Sequence, residues 1–265
     1  MFNFPYIVEL LSPKRSDENN IDGNLDRFAL RYSRIIESGC GLSIPDNPMG
    51  QPRVGALESI ESRKLTFHPD KIVLNLNTFH TKRELDGLLE KAASAGLKYI
   101  LVVRGDGGPL LPKLDPKSIN SQFSVATSID LIRYINDTYP DQFVTGAAFN
   151  PFKPMPFETN RLKKKLSAGA RFVVTQPIVG KNESVSQIGK LGIPLVVEAW
   201  MSKNIDLFYK SVGKEKDEHA EPFDPVDNLT TLHKFYPESC VYLSMLGFKQ
   251  NWQEILPRLS KMNRK

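Results

Sequence analysis

The chain has 265 residues, of which 40% are hydrophobic and 25% charged, with a net charge of +5. That is ordinary soluble globular material, enough for one large α/β domain or two small ones. Lysines and arginines are spread along the chain with acids between them, so the excess charge suits an anionic small ligand and argues against nucleic acid as a partner.

The first eleven residues lack a basic leader and carry Glu9 where a signal peptide would be apolar. No apolar run approaches the roughly 18 residues that a membrane span needs, so the expected setting is cytoplasmic, with no membrane partner. Residues 7–11 read as a first strand, and residues 24–38 as a helix with Leu25, Phe28, Ala29, Tyr32, Ile35 and Ile36 on one face. A short second strand at 41–44 runs into a loop, 45–50, broken by two prolines and a glycine. A weak helix near 55–62 leads to a third strand at 72–76. The next helix, 81–95, has Thr81 as N-cap, Glu84 completing a capping box, and Gly96 as its stop.

The fourth strand, from Tyr99 to Val103, is an apolar run cut off by Arg104, Gly105 and Asp106. A β-branched run stopped by glycine reads as a buried parallel strand, whose carboxyl end is where α/β sheets place their chemistry. Beyond a Gly/Pro-rich loop come a helix at 128–138, a fifth strand at 144–148, a basic helix at 158–168, a sixth strand at 172–175 and a helix at 184–191. A seventh strand at 194–198 and a helix at 205–212 precede a charged tract at about 214–225, read as a surface insertion. The chain closes with a helix at 226–235, an eighth strand at 240–243 and a helix at 252–262. Eight strands alternating with helices over 265 residues give a single (β/α)8 barrel, a TIM barrel occupying 1–265; a doubly wound open sheet is the alternative topology.

In a barrel, function lies at the strand carboxyl ends. Those positions hold Glu9, Asp46, Asn47, Asn75, Asn77, Asp106, Asn150, Gln176 and Glu198, so several carboxylates and amides should face one pocket. An acid inside an apolar strand, such as Glu9, is expensive to bury without a partner or a task; the bland alternative is an ion pair with a basic residue at the barrel bottom. The run Arg161-Leu-Lys-Lys-Lys165 is either a solvated helix face or a contact for a phosphate-bearing ligand. His68, His80, His219 and His233 are scattered and read as surface or core-satisfied residues. Cys40 and Cys240 lack any CxxC or Cys/His spacing, so no metal site is expected and both read as buried thiols. There is no GxGxxG, Walker loop, HExxH or GxSxG motif.

Several linked segments resemble the methylenetetrahydrofolate reductase family: Glu9 in the first strand, Val103-Arg-Gly-Asp106, Gly146-Ala-Ala-Phe149, and Leu162 to Ala170 running into Phe172-Val-Val-Thr-Gln176. The resemblance implies a (β/α)8 barrel that reduces 5,10-methylenetetrahydrofolate to 5-methyltetrahydrofolate with FAD and NAD(P)H. It implies that Glu9 assists opening of the folate's five-membered ring, that the Asp106 carboxylate lies over pterin and flavin, and that Gln176 contacts the pterin. Asp46, Asn75, Glu198 and Trp200 join Gln176 as substrate-binding candidates, and Arg104, Gly105, Phe149, Lys164 and Lys165 are the cofactor-binding candidates. The chain departs from the family on the flavin side: Asn75-Leu-Asn77 stands for a His-Leu-Thr segment, Phe149 for a tyrosine, Lys153 for a histidine, and Ile44 to Pro48 for a Thr-Tyr-Gly segment. Val197-Glu-Ala-Trp-Met201 replaces a Pro-Gly segment after the seventh strand. Two further readings therefore stay open: a flavin-free tetrahydrofolate-dependent methyltransferase or demethylase, and a non-catalytic subunit of a one-carbon complex. A homo-oligomer is compatible with all three.

Overall fold

The computed structural model describes residues 1–215 and 222–262. Eight parallel strands, β1 (Tyr6–Glu9), β2 (Gly41–Ile44), β3 (Ile72–Leu76), β4 (Tyr99–Val102), β5 (Val144–Phe149), β6 (Phe172–Thr175), β7 (Leu195–Trp200) and β8 (Cys240–Ser244), close in sequence order, with β8 returning to β1. The helices that return the chain are α1 (Ile21–Glu37), α2 (Ala56–Ser62), α3 (Lys82–Ser94), α4 (Ser128–Thr138), α5 (Met155–Ser167), α6 (Glu183–Gly189), α7 (Ile205–Val212), α8 (Pro225–Phe235), α9 (Trp252–Ile255) and α10 (Pro257–Met262). This is the (β/α)8 barrel, and the open sheet is excluded by the β1–β8 pairing. Of the charged insertion expected at about 214–225, residues 216–221 lie outside the described residues.

Alternation along each strand divides the apolar side chains between two cores. Val8, Leu42, Leu74, Ile100, Val102 and Leu243 pack outward against the helices. Ile7, Val73, Tyr99, Leu101, Phe172, Val174, Val196 and Tyr242 fill the barrel itself. Its amino end is plugged by aromatic rings, Phe2 lying 4.7 Å from Tyr99 and 5.3 Å from both Phe4 and Phe172. Gly146 makes room for the Phe172 ring, because a Cβ there would stand 2.2 Å from it. With the bottom filled, only the carboxyl end is left open for a ligand.

Helix ends follow local chemistry. Thr81 and Glu84 form the expected capping box of α3, which stops before Gly96 at φ +71°. The terminal helix differs from its single-helix reading. It breaks at Leu256 into α9 and α10 because Pro257 cannot donate an amide proton to a continuing helix and holds the preceding residue extended.

The loops after β2 and β4 meet backbone to backbone over the end of β3. Gly50 has φ +66°, and a Cβ on it would stand 1.7 Å from the Gly107 carbonyl oxygen. Gly50→Ala is therefore expected to cost more than about 1 kcal/mol of stability through left-handed strain and lost contact. Gly87→Ala, in α3 with nothing within 4 Å, should instead stabilise by roughly 0.5–1 kcal/mol. Urea melts of the two variants check the contrast.

Candidate active site at the carboxyl ends of the strands

A cavity of about 580 Å³ opens over the strand ends, within the size range of small-ligand sites. It gathers Glu9, Asp46, Asn75, Arg104, Gly105, Asp106, Phe149, Lys165, Gln176 and Glu198 from separate strands and loops. Trp200 and Lys164 are not brought to it. The Trp200 ring turns outward onto Phe208 of α7, with centroids 6.0 Å apart, and its indole N–H donates to the Asn204 carbonyl at 3.2 Å. Lys164 is exposed one position before the buried Lys165, because only one of two adjacent helical residues can face the barrel. A smaller cavity of about 440 Å³ lies alongside and shares Pro45, Asp46 and Asn75 with the first.

The β1, β7 and β8 side is acidic. Glu198 is the register neighbour of Tyr242, and the Tyr242 hydroxyl donates to Glu9 Oε1 at 3.3 Å. Ser43 donates to Asn75 Oδ1 at 2.8 Å beside them. Burial raises the Glu9 carboxyl above its ordinary range, against the opposing pull of Tyr242, the Met245 amide and the Arg53 charge. Burial, and then the charge of Glu9, push Glu198 up to about 8. Glu9 joins no ion pair among the described residues, so the salt bridge proposed as its bland role does not form. Tyr242 was absent from the sequence-based candidates; its signal was the inward alternation Cys240, Tyr242, Ser244 along the last strand.

The β4–β5 side is basic. Lys165, only 4% exposed, donates to the Ala148 carbonyl at 2.6 Å, and burial lowers its ammonium to about 8 despite the charge of Glu158. Glu158, 2% exposed, accepts from the Asn150 amide at 3.2 Å and from Arg161 at 3.3 Å. Arg104 and Lys153 add two more cations to this wall. Gln176 projects between the two halves, and its Oε1 is buried without a hydrogen-bond partner. A buried amide oxygen of that kind costs about 1–3 kcal/mol if it stays unpaired, so it marks a place for a donor on a ligand.

Asp46 and Asp106 do more than face the cavity. Asp46 Oδ2 accepts from His80 Nε2 at 2.7 Å and from the Asn77 amide at 3.1 Å, and its own carbonyl accepts from Asn77 Nδ2 at 2.7 Å. It ties the loop after β2 to the loop after β3, and the carboxylate expected to bind substrate is largely committed within the protein. Asp106 Oδ2 accepts from the Met49 amide at 2.7 Å, leaving its other oxygen for a ligand. His80 is a site residue that sequence reading passed over. Burial works against its charge, but the hydrogen bond and charge of Asp46, with Glu84 beyond, outweigh it and raise the imidazole above its usual range.

With this geometry in view, the comparisons are specific. A family model described as methylenetetrahydrofolate reductase matches residues 71–186. Over that stretch the chain is similar to the methylenetetrahydrofolate reductases. It is 28% identical over 133 residues to methylenetetrahydrofolate reductase 1 of Schizosaccharomyces pombe, covering 44% of this chain and 21% of that protein. Against the probable methylenetetrahydrofolate reductase (NADPH) of Caenorhabditis elegans it is 28% identical over 160 residues, 56% of this chain and 23% of that one. Methylenetetrahydrofolate reductase 2 of Saccharomyces cerevisiae is 33% identical over 102 residues, 35% and 16% of the two chains. The chain thus matches about a fifth of the length of these curated relatives. Among solved structures, dihydropteroate synthase of Xanthomonas albilineans with 4-aminobenzoic acid superposes with TM-score 0.52 at 13% identity, over 100% of this chain and 94% of that one. A 2,3-dimethylmalate lyase does so with TM-score 0.51 at 12% identity, over 98% and 79%. At such identities both likenesses concern the barrel fold alone. The segment 71–186 carries Asn75, Arg104, Gly105, Asp106, Phe149, Lys165 and Gln176, whereas Glu9, Asp46, Glu198 and Tyr242 lie outside it.

The Glu198 environment has a measurable consequence for stability. Its midpoint is about 8 in the folded protein against 4.5 when exposed, so below about 4.5 both states are protonated and its contribution is fully present. As pH rises toward 8 the unfolded chain ionises first, and that contribution is lost. The melting temperature should fall across this window, and Glu198→Gln should flatten the fall. Equal slopes for the two proteins would contradict the assignment.

Proposed function

We propose that the chain is a folate-dependent one-carbon enzyme that reduces 5,10-methylenetetrahydrofolate to 5-methyltetrahydrofolate. The observation that carries this reading is the cavity's composition: a Glu9 carboxyl disposed to hold its proton stands opposite an Asp106 carboxylate and an unpaired Gln176 amide oxygen. Opening the folate's imidazolidine ring needs a proton delivered to nitrogen, and a desolvated carboxyl supplies one near neutral pH. The free oxygen of Asp106 would hydrogen-bond the pterin's amino edge and offset the positive charge that develops as the ring opens. Gln176 would complete the recognition, its Oε1 accepting from a pterin N–H and its amide nitrogen donating in return.

The basic wall fits the diphosphate of FAD, with Arg104, Lys153, Arg161 and Lys165 as the groups that would hold it. FAD supplies hydride transfer from NAD(P)H when it is bound. Phe149, 1% exposed, offers a flat apolar edge at the end of β5 and no hydrogen bond. A second reading, methyl transfer to or from tetrahydrofolate without flavin, is favoured by the direct packing of the β2 and β4 loops at Gly50 and Gly107, which narrows the cavity over β3. Visible flavin absorbance of the purified protein separates the two.

A reduced folate should raise the melting temperature by mass action, since it binds only the folded state. Asp106→Asn and Gln176→Ala should each shrink that rise, and no rise at saturating folate would remove the proposal. Glu9→Gln should keep folding and folate affinity while lowering turnover by at least ~10²-fold, the usual scale of general acid catalysis. A variant that loses roughly 3–5 kcal/mol of stability, as an uncompensated buried charge would cause, yet keeps its rate per folded molecule would refute the role of Glu9.

A further inference from the structure

Glu198 is the one carboxyl of the cavity that neither the folding of the loops nor the proposed contacts to pterin and cofactor account for. It lies inside the barrel on β7, one strand from Tyr242 and two from Glu9, and it joins no ion pair among the described residues. Its backbone is fixed by the Thr175 hydroxyl, which accepts from the Glu198 amide at 3.0 Å, so the side chain is held at one height above the barrel floor. Glu9 lies two residues beyond Ile7, the β1 register partner of Tyr242, and the Tyr242 hydroxyl, on the strand between β7 and β1, donates to it. Two carboxyls that share a desolvated cavity cannot both ionise without strong repulsion, and such a pair titrates as a unit.

We propose that Glu9 and Glu198 form one acid–base unit, a carboxyl pair on either side of Tyr242 that carries a single proton, with Glu198 acting as a positioning residue that retains the proton Glu9 delivers. This rests on the reading of Glu9 as proton donor. The surroundings determine how the proton is distributed. Burial raises Glu9, against the pull of the Tyr242 hydroxyl, the Met245 amide and the charge of Arg53. Glu198 has the Ser244 hydroxyl alone, and the charge of Glu9 acts against its ionisation. The two carboxyls share one proton, and the charge of whichever is ionised holds that proton on the other. When a basic ligand nitrogen enters, the pair's one proton, held on Glu9 by the charge of Glu198, moves to that nitrogen, and both carboxyls are left ionised. Both carboxylates would then face the cation formed on the ligand, and their mutual repulsion is relieved by it. Net charge is conserved, one proton leaving the pair and one positive charge appearing on the ligand.

The other charged groups facing the cavity are Asp46 from the loop after β2, Asp106 from the end of β4, Glu158, Arg161 and Lys165 on α5, and Arg104 and Lys153 from the loops. Asp46 apart, they line the opposite wall, and the influences that act on Glu198 come from Glu9 and Ser244 rather than from any of them. A structural role for the pair is disfavoured energetically. Two desolvated carboxyls without a cation destabilise the barrel, and apolar residues at these inward positions would pack better. The two acids also come from segments outside the matched stretch 71–186.

The test follows the carboxyls directly in the full chain, labelled with carbon-13 at the glutamate side-chain carboxyl, by recording chemical shift against pH. The wild type should show two coupled steps, the later near pH 8. Glu9→Gln should bring the Glu198 midpoint down by about one pH unit or more, the threshold at which sites titrate as a pair. Glu198→Gln should leave a single Glu9 step, at lower pH than in the wild type. The two variants probe one coupling from both ends, so if either fails to fold the other still decides. A Glu198 midpoint unchanged in Glu9→Gln, or a Glu9 midpoint unchanged in Glu198→Gln, overturns the proposal. The titrations need neither folate nor turnover, so a failure of the folate reading would appear separately, as an absent folate-dependent melting shift with the coupled titration intact.

Discussion

Closure of β8 onto β1 is the constraint on which the rest depends. Once eight parallel strands form a ring, every strand's carboxyl end lies on one face and every second side chain must enter an interior that cannot hold bulk water. Ile7, Val73, Leu101, Val174 and Val196 meet that demand low in the barrel, and the Phe2, Phe4 and Phe172 rings close its bottom. The next inward positions on β1, β3 and β7 are Glu9, Asn75 and Glu198. Polar groups one pleat above an apolar plug are desolvated without being sealed off, and this is the condition under which a carboxyl retains a proton and remains accessible.

The cavity is divided electrically along the same geometry. Strands β1, β7 and β8 bring carboxyls and a phenol, while the ends of β4 and β5 and the inner face of α5 bring arginines and lysines. Gln176 stands between them with its oxygen unpaired. A ligand that satisfies both walls carries anionic groups at one end and a protonatable heterocycle at the other. The stretch shared with the methylenetetrahydrofolate reductases supplies the basic wall and the amide, and the acidic wall comes from the flanking segments.

The rim is held by contacts between loops that are distant in sequence. Asp46 binds His80 and Asn77, Asp106 binds the Met49 amide, and Gly50 lies against Gly107. These ties commit polar groups that would otherwise serve a ligand, and they fix the shape of the cavity mouth over β2, β3 and β4. An exposed Asp46–His80 pair would contribute little, but here both side chains are mostly buried, so the bond is poorly screened by solvent.

The sequence by itself determined the barrel. Eight short, mostly apolar runs alternating with helical segments carry a local signal that survives without tertiary context, and the Thr81-to-Glu84 cap is legible because both partners lie within one helical turn. It also determined which acids and amides stand at strand ends, since the period of two is set by the backbone. The tertiary structure decided what these residues touch. Trp200 was left outside the cavity by a ring position on α7, eight residues away along the chain, and Lys164 by the choice of which neighbour, Lys165, turns inward. Asp46 met His80 34 residues later, and Glu9 met Tyr242 233 residues later. Pairings over such separations depend on register and on loop paths, which no local pattern encodes, and they are what turn a row of polar strand ends into a site.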